Sequence, residues 1–334
     1  MGLVGSGMAR VTAAARFDGL WWRKFAYLGC VYGPEWWKRG SPPAIAALLF
    51  ALVGNNRRGS IENMQRILGT DSRRAAIAAL RMYAQFAHCM TETLEHFGPR
   101  PRPIRLELPQ RDLIREALSE RRGAVLVTGH IGNWDIAAKT LRDFEQPINL
   151  VMARETNTTM QDYAREMRER TGVRVIYSDT SVFSALNMIR ALRQNEIVAI
   201  QLDRMLGLGG ARAVPFFGAP ALFPSGPFVL ARLAGSPLIP VFIPRLGTRH
   251  YAVRYGTPLL LPREARDAYS LDRAMRSVIA DFEHIIRTFP AQWFQFLPFW
   301  PSAAVAKEPT DTAAPEASED SGEQEIPLRR GAPR

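Results

Sequence analysis

From residue 104 to residue 290, short apolar runs alternate with stretches whose apolar positions recur every three or four residues. The runs at 124–128, 148–153, 173–178 and 197–202 read as buried strands, followed by a short strand at 213–217 and strands at 237–244 and 250–255. Helical spacing marks 110–121, 134–144, 157–170, 181–194, 225–235 and 270–288. Alternation of this kind predicts an α/β fold, a mainly parallel sheet with helices on both faces. Upstream, residues 60–97 are helical in pattern, and Pro99, Pro101 and Pro103 mark an extended connector. The uncharged stretch Ala44–Val53 follows Pro42-Pro43 and is about half the roughly 20 residues needed to span a bilayer. It is expected to be a buried or interfacial helix. Three regions follow: 1–59 helical and N-terminal, 60–304 the main domain, and 305–334 a tail.

The N-terminal region is expected to associate with a membrane. Phe17, Trp21, Trp22, Phe25, Tyr27, Tyr32, Trp36 and Trp37 are interleaved with Arg23, Lys24, Lys38 and Arg39. Tryptophan and tyrosine favour the headgroup level, and the cations favour anionic lipid. A helix pair packed on the main domain accounts for the same residues. No signal peptide is evident. The tail holds seven acids and four bases, a net −3, so residues 1–304 carry +14 of the chain's +11. Poor in large apolar residues, the tail is expected to be disordered. Cys30 and Cys89 form neither a metal-ligand spacing nor a disulfide framework.

The candidate chemistry lies at the ends of strands. Gly129-His130-Ile131-Gly132-Asn133-Trp134-Asp135 joins the strand 124–128 to a helix. Its spacing lets Asp135 hold one nitrogen of His130 while the other acts as a base. A helix start with a favourable acid explains the pair without chemistry. Gly129 and Gly132, however, allow the backbone to come close to a ligand. Asp203-Arg204 ends another strand at the carboxyl edge, where it can meet His130. Arg154-Glu155 follows the strand 148–153, and its arginine suits a phosphate or carboxylate, with a solvated salt bridge between the two as the equal alternative. The segment 214–227, with Phe217, Gly218, Ser225 and Gly226, is rich in Pro and Gly and can line an acyl groove. Backbone N–H groups near Gly132 or Ser225 are candidate oxyanion donors. An edge strand with a tight turn is the plainer reading of that segment.

Taken in order, these blocks resemble the lysophospholipid acyltransferase superfamily, in particular its lipid A biosynthesis (lauroyl/myristoyl) branch. Gly129–Asp135 matches its His-x4-Asp signature, and Asp203-Arg204, Phe216-Phe217-Gly218, Pro227–Pro240 and Pro290-Ala291-Gln292-Trp293 resemble its later blocks. The resemblance implies an α/β/α sandwich, glycerolipid acyltransferase-like, with its site in a crevice at the cytoplasmic face of the inner membrane. It implies a glycolipid-biosynthesis O-acyltransferase, peripheral on the membrane, with an acyl carrier protein or coenzyme A thioester as donor. No metal and no cofactor beyond that donor are implied, and no nucleic acid. His130 would be the catalytic base and Asp135 its partner. Gly132, Asn133, Arg154, Asp203, Arg204, Phe217, Gly218, Ser225 and Gly226 would face substrate. Two features depart from that branch: the chain shows no N-terminal spanning helix, and the C-terminal block runs on as Trp293-Phe294-Gln295-Phe296. The apolar continuation points to an acceptor other than a phosphorylated lipid A precursor: another glycolipid, a lysophospholipid or a secondary-metabolite lipid. The alternatives are a basic α/β nucleotide- or nucleic-acid-binding protein, which lacks a P-loop, and a catalytically inactive lipid-binding module, against which the intact His130–Asp135 pair argues.

Overall fold

A computed structural model describes residues 27–136, 146–153, 173–178, 182–204, 210–262 and 268–300. Apolar runs become strands where both sheet faces are covered. In β2 (Ala124–Thr128) and β8 (Leu238–Phe242) every residue is buried, the pattern of a central parallel strand. Beside them lie β3 (Ile148–Ala153), β4 (Val173–Ser178), β5 (Ile197–Gln201) and the two-residue β11 (Arg254–Tyr255). The sheet order is β11-β8-β2-β5-β3-β4, parallel throughout except for β11. In the pairing that matters most, Ala124 stands opposite Ile197 and Thr128 opposite Gln201.

Five strand predictions hold nearly to the residue. The single strand expected at 250–255 is two: β10 (His250–Ala252) joins β1 (Arg105–Glu107) and β9 (Arg245–Gly247) in a small sheet, whereas β11 returns to the main one. Val253 donates its N–H to Glu107 O between them. The segment 214–227 is a hairpin, β6 (Ala211–Phe216) with β7 (Ala219–Pro224). The expected helix 157–170 and the tail 305–334 lie outside the described residues, as do Phe17, Trp21, Trp22 and Phe25.

Among the described residues, a helical stretch at 27–32 is followed by α1 (Glu35–Leu52), α2 (Gly54–Leu68) and α3 (Ser72–His96) ahead of the sheet. α1 starts well before Pro42-Pro43 and passes through both. Interior prolines remove two backbone donors, and Pro42 is nevertheless buried. Asp71 caps α3 by accepting from the N–H groups of Arg73 and Arg74, both at 2.9 Å. α2 runs unbroken through the expected boundary at residue 59. Within the sheet domain come α4 (Arg111–Ser119), α5 (Val182–Arg193), α6 (Gly226–Ala234) and α7 (Ala268–Thr288). α7 buries Leu271, Met275, Val278, Ile279, Phe282, Ile285 and Ile286, a stripe at helical spacing.

After α7 the chain turns at Pro290–Gln292 and continues as a strap fastened to α2. Asn63 donates to Gln295 O (3.1 Å) and Leu297 O (2.8 Å) and accepts from the Phe299 N–H (3.0 Å). The Asn63→Ala substitution removes all three bonds and strands their partners. A loss of about 3 kcal/mol is expected at roughly 1 kcal/mol per bond, read as a lower thermal midpoint.

Candidate active site

β2 delivers the chain to residue 129 at its carboxyl end, where side-chain volume decides which residue fits. A Cβ on Gly129 would sit 2.3 Å from Phe282 Cζ and 3.3 Å from Asp203 Oδ2, so only glycine passes. Beyond it the turn is laced to its neighbours. The Gly132 N–H donates to Gln292 O (3.0 Å), the Asn133 N–H to Ile243 O (2.9 Å), and the Phe294 N–H to His130 O (2.7 Å). Gly132 has φ +63°, and a Cβ there would meet Ile243 O at 1.8 Å.

β5 supplies the carboxylate. The Leu202 N–H donates to Thr128 O (2.7 Å), holding this strand against β2 to its end. Residue 203 therefore emerges beside residue 130. Asp203, its side chain 0% exposed, accepts from His130 Nδ1 at 2.7 Å through one oxygen. Its other oxygen accepts from the His130 N–H (2.8 Å) and from Trp293 Nε1 (2.9 Å). Burial works against the charge, but the His130 ring, its hydrogen bonds and that of Trp293 outweigh it and hold the Asp203 carboxyl below its ordinary value. An ionised Asp203 can only accept, so Nδ1 carries the proton and Nε2 is the ring's acceptor. The imidazole is 20% exposed, so a reactant can reach it.

The turn is braced from α3. Asn133 Nδ2 donates to Cys89 O (3.0 Å) and Thr93 Oγ1 (2.7 Å). Tyr251 OH donates to Glu92 at 2.6 Å, and Arg245 grips Glu92 through Nε (3.1 Å) and a terminal nitrogen (2.7 Å). Gln292 closes the frame, accepting from the Arg245 N–H (2.7 Å) and donating to Arg245 O (2.8 Å). Beneath the pair lies an aromatic floor in which Trp293 meets Phe216, Phe282, Phe299 and Trp300 edge-on.

A base aligned by a buried carboxylate at a strand-to-helix turn suits proton abstraction from a hydroxyl. The family model for bacterial lipid A biosynthesis acyltransferases matches residues 19–302. The chain belongs to this family. Among curated proteins, it is similar to a phosphatidylinositol mannoside acyltransferase of Mycolicibacterium smegmatis, 30% identical over 193 residues, 57% of this chain and 60% of that one. A phosphatidylinositol mannoside acyltransferase of Mycobacterium tuberculosis strain H37Rv is 30% identical over 194 residues, 57% of this chain and 58% of that one. The matched stretch therefore spans about three fifths of the length of these relatives.

Within that family frame, some expected roles move. The carboxylate on His130 Nδ1 is that of Asp203, in place of Asp135. The parallel pairing of β2 with β5 sets residue 203 directly beside the ring, while Asp135 stands half-buried on the helical turn 134–136. Asn133 is a buried tie to α3, not a surface for substrate. Of the candidate oxyanion donors near Gly132 or Ser225, the N–H groups of these two residues themselves are bonded, to Gln292 O and Gly210 O. Ser225 Oγ also donates to Gly210 O (2.8 Å), just ahead of Gly226 and α6.

Phe217 and Gly218 form the tip of the β6–β7 hairpin, with φ +48° and +74°. The Phe217 ring is covered by the Arg287 guanidinium at 4.8 Å, and its N–H donates to Glu283 (2.8 Å). Arg204 is exposed beside Asp203, whereas Arg154 lies outside the described residues. Trp293, Glu92, Tyr251, Arg245 and Gln292 were not among the predicted site residues. Gln292 and Trp293 both belong to the Pro290–Trp293 block, and for Glu92 the available signal is an acid among the apolar positions of a helix. Among the described residues, no three His, Cys, Asp or Glu side chains stand together as a metal site.

Proposed function

We propose that this protein is an O-acyltransferase, moving a fatty acyl chain from an acyl thioester to a hydroxyl of a membrane glycolipid. The observation that carries this reading is the His130–Asp203 pair at 2.7 Å in a member of an acyltransferase family. Nε2 of His130 takes the acceptor hydroxyl's proton as its oxygen attacks the thioester carbonyl. The tetrahedral intermediate collapses, the C–S bond breaks, and the thiolate takes the proton back from the imidazolium. Asp203 stays ionised and stabilises that imidazolium. Asp135 is kept as a second carboxylate of the turn, supporting its helix start. The thioester is activated enough that an aligned base and proximity suffice, so no metal or further cofactor enters the scheme.

The proposed acceptor is a phosphatidylinositol mannoside or a related glycolipid, a reading supported by the relatives' names. Acyl carrier protein or coenzyme A is the proposed donor carrier, and Arg154 and Arg204 are proposed to face the polar part of donor or acceptor. The layering is proposed to be an α/β/α sandwich. The enzyme is placed peripherally at the cytoplasmic face of the inner membrane. Support comes from α1, which carries no charge between Ser41 and Leu52 yet exposes Ile45, Leu48 and Leu52. Among the described residues, no helix is long and apolar enough to cross a membrane.

The test is transfer of labelled acyl groups from acyl carrier protein and acyl-CoA to a panel of glycolipids and lysolipids. The parent is expected to acylate a glycolipid, and His130→Ala to lose about 10²–10⁴-fold, the usual share of a general base. Parent-level transfer by His130→Ala would refute the mechanism.

A further inference from the structure

A pocket of about 340 Å³ opens where α1 begins, lined by Val31, Tyr32, Gly33, Lys38 and the connector residues Arg100–Arg102. It shares no lining residue with the His130 site. Its volume falls in the range of small-ligand sites, and its charge tells which ligand it takes. Lys38 is buried and paired with Glu95 at 2.7 Å. Glu95 also pairs with Arg249, which pairs in turn with Glu35 at 3.0 Å. Those two cations and two carboxylates cancel. Arg100 and Arg102 are both exposed, and among the described residues no carboxylate pairs with either. The Arg100 guanidinium lies 5.3 Å from the centre of the Tyr32 ring, which orients it without neutralising it. The pocket thus carries two uncompensated guanidinium groups, the side chain best shaped for phosphate oxygens.

What brings phosphate there is the helix beside it. Trp36 on the first turn of α1 is 72% exposed, and farther along, on another side of the helix, Ile45, Leu48 and Leu52 form an exposed apolar face. An apolar helix face flanked by free arginines is the arrangement of an interfacial helix on an anionic bilayer. We propose that this pocket seats the phosphate of an anionic phospholipid while α1 lies on the bilayer, with Arg100 and Arg102 as the phosphate ligands. It is an accessory lipid site, separate from the acceptor, and it rests on the membrane-surface reading given above.

The test uses the full chain in flotation with vesicles of phosphatidylcholine alone and of phosphatidylcholine containing phosphatidylglycerol. The parent is expected to prefer the anionic vesicles. Arg100→Gln with Arg102→Gln should lower binding to them about tenfold or more while leaving binding to phosphatidylcholine as in the parent. Arg100→Lys with Arg102→Lys should restore part of the preference. Leu48→Ser with Leu52→Ser should weaken binding to both vesicles. If the Gln pair keeps the parent's preference, the pocket assignment is wrong while the membrane reading stands. If the parent floats with neither vesicle, the membrane reading fails first. Soluble glycerol phosphate binding as tightly as the vesicle lipid would reassign the pocket to a free phosphate and overturn the lipid proposal.

Discussion

Asp203→Asn is expected to remove nearly all acyl transfer while leaving the fold in place. The amide oxygen of the variant can still accept from the His130 N–H and from Trp293 Nε1, so the strand end stays docked. Its NH₂ group then faces Nδ1 and turns that nitrogen into an acceptor. The ring proton moves to Nε2, where the base is needed, and the charge that stabilised the imidazolium is gone. A loss of about 10³–10⁴-fold in kcat is expected, the scale of such tautomer errors elsewhere. Turnover is measured beside a circular-dichroism melt, and near-parent turnover in a folded variant would contradict the assignment. Asp135→Asn is the informative comparison, because it leaves the Nδ1 bond untouched.

The same carboxylate sets a dependence on pH. Its pKa is lowered in the fold, so its contribution to stability is present above the ordinary carboxylate value and lost as pH falls through the lowered one. The stability gap between parent and Asp203→Asn should therefore be widest above about pH 4 and close in stronger acid. Denaturant melts across that window read it directly.

Gly132→Ala has the second-largest expected effect, and it strikes the fold first. The added methyl would lie 1.8 Å from Ile243 O, a backbone atom of the chain leaving β8. The φ of +63° adds its own cost for a residue with a Cβ, about 1 kcal/mol. Relief requires moving the turn, which breaks the Gly132–Gln292 and Asn133–Ile243 bonds. A destabilisation of about 3 kcal/mol or more is expected, within the upper range for overpacking and lost bonds. It should appear as a drop in the thermal midpoint and as lost turnover in whatever fraction folds. A variant with the parent's melting curve would mean that the turn has a second conformation.

The sequence made the strands legible because both faces of β2, β5 and β8 are covered, so each is a plain apolar run. β7 is harder to see: Ala-Pro-Ala-Leu-Phe-Pro reads as a turn, and its prolines are tolerated because, among the described residues, it pairs with β6 alone. His130 was identifiable from its place at a strand end flanked by glycines. That Asp203 shares its crevice was also within reach, since both follow strands at the carboxyl edge. Its exact partner was not. Asp135 lies five positions from His130 and Asp203 seventy-three, and nothing in the linear order says that β5 is the strand beside β2. The bracing set was hidden for a similar reason. Glu92, Arg245 and Tyr251 come from separate elements and each alone looks like an ordinary polar residue, whereas Gln292 lies in the Pro290–Trp293 block.

That His130 and Asp203 follow two adjacent strands has a thermal consequence. Their 2.7 Å contact is not a property of one flexible loop but of the hydrogen-bonded seam between β2 and β5, in the middle of the sheet. Local opening at an edge leaves such a seam intact, and only cooperative melting of the core parts it. The pair should therefore stay competent up to the temperature at which the sheet itself gives way, with no earlier inactivation step of its own.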